Sequence, residues 1–138
     1  MKKVILLFVM LSLFTSCKKK KSEPEPVNEP FNTTSSTLVA QSAFTSNAHP
    51  TSGTVKLYSQ RDSKTLVFEN FQTDNGPDLR VYLSTTTGNS NFIELGALKS
   101  TSGNFNYNVD SSINTSTYKY VLIWCEDFAV LFGNSKLN

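Results

Sequence analysis

Residues 118–133, Tyr-Lys-Tyr-Val-Leu-Ile-Trp-Cys-Glu-Asp-Phe-Ala-Val-Leu-Phe-Gly, gather β-branched and aromatic side chains more densely than any other stretch beyond residue 17. Such side chains fit a pleated surface and lose rotamer freedom in a helix, so the stretch predicts two core strands. In residues 118–125 apolar side chains occupy both parities, with Val121 and Ile123 on one side and Tyr120, Leu122 and Trp124 on the other. That pattern predicts a central strand covered on both faces. Glu126 and Asp127 supply a polar corner, after which Phe128, Val130 and Phe132 alternate with Ala129 and Leu131 until Gly133 ends the run. Ile123, Phe128 and Phe132 are expected in the core. Cys125, at the corner, is the one reactive side chain of this region.

The remaining pattern from residue 37 onward is also β, with no apolar repeat at helical spacing over three turns. Strands are expected near residues 38–44, 53–60, 65–71, 78–84, 92–98 and 105–109, separated by polar or Gly/Pro breaks. Residues 78–84 alternate cleanly: Leu79, Val81 and Leu83 face one way, and Arg80, Tyr82 and Ser84 the other. About eight short strands in a hundred residues predict an antiparallel β-sandwich or barrel-like domain over residues 37–138.

The N-terminus reads differently. Lys2 and Lys3 precede an apolar run over residues 4–11, too short for a stable membrane span and well suited to a secretory signal peptide. The run ends in Leu-Phe-Thr-Ser-Cys, which resembles a bacterial lipoprotein signal in which the cysteine is lipidated and becomes the mature N-terminus. The expectation is a signal peptide over residues 1–16, lipid on Cys17, and membrane attachment in the cell envelope. Lys18 after the cysteine resembles the sorting pattern for the outer membrane. Residues 17–36 read as a flexible linker, rich in Lys, Ser, Glu, Pro and Asn with little to bury. Fully extended, such a segment would reach about 60 Å. Removing Lys2 and Lys3 from thirteen basic residues leaves eleven against eleven acidic ones, so the charge gives no case for nucleic acid.

The chain contains no phosphate loop, no Cys-x-x-Cys, no His-Glu-x-x-His and no Gly-x-Ser-x-Gly. Its single histidine, His49, cannot supply a multi-histidine metal site. With Cys17 assigned to lipid, Cys125 has no disulfide partner in the chain. No complete catalytic constellation is visible, and enzyme status is left open.

Several segments in order carry a resemblance: His-Pro-Thr-Ser-Gly-Thr-Val at 49–55, Gly-Pro-Asp-Leu at 76–79, Leu-Gly-Ala-Leu-Lys-Ser at 95–100, and Ile-Trp-Cys at 123–125 running on to Phe132 and Gly133. Together they resemble the DM-thirteen domain, also called the electron-transfer DM-thirteen domain, over about residues 38–137. The resemblance implies an extracytoplasmic β domain whose signature cysteine, at the position of Cys125, serves redox chemistry as a bare thiol or as a ligand to a prosthetic group such as haem. His49, in another matching stretch, is the candidate to activate the thiol or share the cofactor. Electron or protein partners are not named by the sequence. Two readings stay open: a redox or prosthetic-group-binding domain centred on Cys125, and a non-catalytic binding or structural module with Cys125 buried and inert. A buried free cysteine behaves as a small hydrophobe, which favours the second on composition alone.

Overall fold

A computed structural model describes residues 25–138. The expected signal peptide, Cys17 and the lysines at 18–21 lie outside the described residues. Ten strands follow in order: β1 (Val27–Asn28), β2 (Thr37–Ala43), β3 (Thr45–Ser46), β4 (Thr51–Gln60), β5 (Ser63–Thr73), β6 (Leu79–Ser84), β7 (Phe92–Ala97), β8 (Ser102–Val109), β9 (Tyr120–Cys125) and β10 (Val130–Lys136). No helix occurs among the described residues. The strands make two five-stranded sheets, β1-β8-β5-β4-β2 and β3-β10-β9-β6-β7, packed as a sandwich. All pairings are antiparallel except β1 with β8.

The alternating segments form the inner faces. Leu79, Val81 and Leu83 on β6 and Val121, Ile123 and Cys125 on β9 meet Val55, Leu57, Leu66 and Phe68 across the sandwich. Phe44, Phe68, Phe71, Phe105 and Tyr107 form an aromatic cluster within it, with several tilted or edge-on pairs that suit the ring quadrupoles. β9 lies between β10 and β6, and its other face is covered as its two-sided pattern predicts. There Leu122 and Trp124 join Tyr82 in a second cluster backed by Tyr120 and Leu131. The chain changes sheets at Phe44, which is buried between β2 and β3.

Phe128 departs from expectation: it is 71% exposed. The polar corner at Glu126 and Asp127 extends through Ala129, whose amide donates to the Glu126 carbonyl at 3.3 Å and whose φ is 51°. A four-residue turn of this kind lifts Phe128 out of the ladder, so β10 begins only at Val130.

The expected linker also behaves otherwise over its second half. Val27 and Asn28 pair in parallel with Gly103 and Asn104 at the edge of β8, and the Glu29 amide donates to the Asn104 carbonyl. The Glu29 carboxylate binds Lys99 Nζ at 2.9 Å, and the Phe31 ring packs on Tyr58 with centroids 5.0 Å apart. Phe31 and Thr33 lie beside Val67, and Ser35 meets Gln60. Residues 25–36 therefore form a strap across the outer face of the first sheet, from the β8 edge over β5 to β4. Val67 points outward between the inward Leu66 and Phe68, yet it is only 6% exposed.

Candidate functional site

One end of the sandwich collects the loops at 47–50, 74–78, 98–101 and 126–129. The segments singled out in the sequence meet here because each ends or begins a strand at this level. Leu79 is the register partner of Cys125, the Glu126 amide donates to the Asp78 carbonyl at 2.9 Å, and the Leu98 amide donates to the Leu79 carbonyl at 2.8 Å. Tyr107 ties the next residue in, accepting from the Lys99 amide and donating to the Ala97 carbonyl, both at 2.9 Å. Burial pushes the Tyr107 phenol up to about 12, against a smaller opposite pull from the Lys99 amide.

Cys125 has no exposed surface. On its two neighbouring strands it is flanked by Leu79 and by Val130, and its thiol faces the main apolar core. Val130 is itself only half-buried, and it opens the hairpin immediately after the 126–129 turn. Of the two flanking side chains, Val130 at the mouth of the β9–β10 hairpin is the less buried.

His49 lies in the 47–50 loop, where the amides of Asn47 and His49 donate to the Phe132 carbonyl at 2.9 and 3.3 Å. Its ring stacks on Phe132 with centroids 3.8 Å apart and planes inclined by 25°. Nδ1 stands 3.0 Å from Asp74 Oδ2. An ionised carboxylate can only accept, so Nδ1 is the donor of this pair and Nε2 is the ring nitrogen that Asp74 does not engage. Thr51 and Thr73 pin this loop, bonding to each other at 3.1 Å and to the carbonyls of His49 and Pro50. Gly76 stands close to the core, and a Cβ there would press on the tips of Leu79 and Phe132, at 2.9 Å from Leu79 Cδ2 and 3.0 Å from Phe132 Cζ, so those side chains would have to shift.

The structure thus sets His49 and Cys125 at the same end without joining them: the polar partner of His49 is Asp74, and the thiol faces the apolar interior. The Asp74 partnership escaped sequence reading because Asp74 lies within a turn where an acid also serves as a turn former. Arg80 is likewise held by Asp78 and Glu94, which raise its pKa further.

A haem ligated by Cys125 does not fit. The iron and macrocycle would need open volume beside the sulfur, where Leu79 and Val130 stand against a closed core. The nearby hollows, about 390 Å³ beside Asp74 and about 230 Å³ beside Asp78 and Leu98, are not lined by Cys125. Among the described residues no three His, Cys, Asp or Glu side chains gather as a metal site would require.

A family model described as electron transfer DM13 matches residues 43–137. No curated protein and no solved structure matches the chain. The matched range contains the whole loop end, His49 and Cys125, and leaves out the strap.

Proposed function

The chain belongs to the electron-transfer DM13 family, and from that premise we propose that it serves a redox-related role in the cell envelope, held at the outer membrane by lipid on Cys17, with Cys125 as a guarded thiol. The observation that supports Cys125 as the centre is the convergence of segments far apart in sequence, Gly-Pro-Asp-Leu and Leu-Gly-Ala-Leu-Lys, around its register partner Leu79. Reactivity follows opening of the hairpin mouth rather than the closed state. Local openings cost less than global unfolding, and a hairpin end beside a four-residue turn is a natural place for one. Once open, the Cys125 thiolate attacks a disulfide of a partner, forming one mixed disulfide and releasing the partner's other sulfur as thiolate.

Alkylation of the folded protein followed by mass spectrometry tests this. Labelling of Cys125 is expected to be slow but faster than global unfolding allows, and to accelerate in Val130→Ala, which thins the cover without touching the thiol. Labelling that tracks global unfolding in both proteins would retire the guarded thiol. The complete burial of Cys125 favours a second reading, in which the thiol is inert and the loop end binds a partner. Under that reading Cys125→Ser changes stability and leaves redox phenotypes untouched. The anchor is tested separately: mass spectrometry should place a lipidated Cys17 at the mature N-terminus, and an unmodified N-terminus elsewhere would remove the lipoprotein reading.

A further inference from the structure

The strap changes where an anchored domain can sit. The Glu25 carbonyl accepts from Ser100 Oγ at 3.3 Å and Val27 pairs with Gly103, so the chain enters at the loop end that holds Cys125. From Cys17 to Glu25 there are eight peptide units, which span at most about 29 Å when fully extended. β5 alone has eleven residues and runs about 36 Å at 3.3 Å per residue. An anchored domain therefore cannot stand inverted, because that pose would lift Glu25 farther from the bilayer than its tether reaches.

The end held down carries Phe128, at 71% the most exposed of the large apolar side chains that remain outside the core. It projects from the 126–129 turn between Asp127 and Ala129, both also exposed. We propose that this loop end is a membrane-contact surface, with Phe128 seated in the headgroup boundary of a phospholipid bilayer. An aromatic ring gains by leaving water at that depth. Glu126 and Asp127 precede it in the same exposed turn, and their carboxylates stay hydrated, which keeps the contact shallow. The lysines at 18–21 supply the opposite charge next to the lipid, where phosphates lie. Distance and exposure thus select the same end of the molecule. In the cell this inference rests on the lipid anchor proposed above.

The test is depth-dependent quenching of tryptophan by brominated lipids, using the processed protein in vesicles of phosphatidylethanolamine and phosphatidylglycerol. Trp124→Phe provides a background without native tryptophan, and circular dichroism confirms that each variant folds. Phe128→Trp is expected to lose most of its emission to the bromolipids and shift to the blue, whereas Asp62→Trp, at the opposite end, keeps its emission. Adding Val27→Asp and Glu29→Lys frees the strap and lengthens the tether, and quenching at position 128 should then fall. Equal quenching at 62 and 128, or none at 128, overturns the proposal. If mass spectrometry finds Cys17 unmodified, the anchor reading fails by itself. The same measurement on chains coupled through Cys17 to a maleimide lipid still decides the orientation.

Discussion

Tyr107 joins two levels of the molecule: its ring packs against Phe68 in the core and its hydroxyl fixes the Lys99 loop. Its phenol is raised from 10.0 to about 12, chiefly by burial. Since the neutral form is the one favoured on folding, the associated stability is complete below pH 10 and is lost as pH rises through 12. A pKa rise of this size corresponds to at most a few kcal/mol, on the order of 1 kcal/mol or more for each tenfold change in proton affinity. Chemical denaturation between pH 9 and about 12 should show this loss, and Tyr107→Phe should reduce it by roughly that amount. The same variant leaves the Lys99 amide and the Ala97 carbonyl without their partner, at about 1 kcal/mol near neutrality. Tyr82 behaves in the opposite way. Its ring is fully buried, 4.1 Å from Phe92 between centroids, and its hydroxyl has no hydrogen-bond partner among the described residues. Tyr82→Phe keeps the stack and removes a desolvated dipole, so denaturant titration should find it neutral or stabilising by about 1 kcal/mol.

Among the elements, the strap is the least regular and the most informative. Phe31→Ala should cost about 1–2 kcal/mol, because the ring shields Tyr58 and Val67 from water. Gly103→Ala should detach the strap more completely: φ is 117° there, and a Cβ would run into the Val27 carbonyl. Limited proteolysis should then cut within residues 25–36 well before the sandwich. The Glu29 carboxyl is held below its ordinary range, first by the Lys99 hydrogen bond, so the clasp holds above the ordinary carboxylate range and loosens as pH falls through the lowered value. The strands themselves were legible in the sequence because period-two alternation in residues 78–84 and the two-sided pattern in 118–125 report burial directly. The strap was not, since a Pro-rich polar stretch has the composition of a linker. Its signals were a lone Val27 and Phe31 among polar residues. Phe128 misled for a related reason: alternation counted through the turn carries no information once the ladder has stopped.

For the whole molecule, strap and sandwich share one outer face, so residues 25–138 should unfold in a single cooperative transition. Deleting residues 25–36 should lower the melting temperature by several degrees, at roughly 4 °C for each kcal/mol lost; deletion of 18–24 leaves every described contact in place, and scanning calorimetry separates the two. The loop end illustrates what sequence conveys about a site. Motif segments separated by tens of residues marked Cys125 and His49, but the face on which each lies depends on register, and register placed His49 against Asp74 and Phe132 and turned the thiol inward. The parallel pairing of β1 with β8 also gives the attachment a mechanical character. Tension on the N-terminal side acts along the strand axis and loads two residue pairs in shear before it reaches the sheets. When they yield, the twelve strap residues come free as chain with a fully extended length of about 40 Å. The strap is a fuse for the domain: a sharp pull spends itself in peeling twelve residues and leaves the other nine strands, β2 to β10, with their core intact.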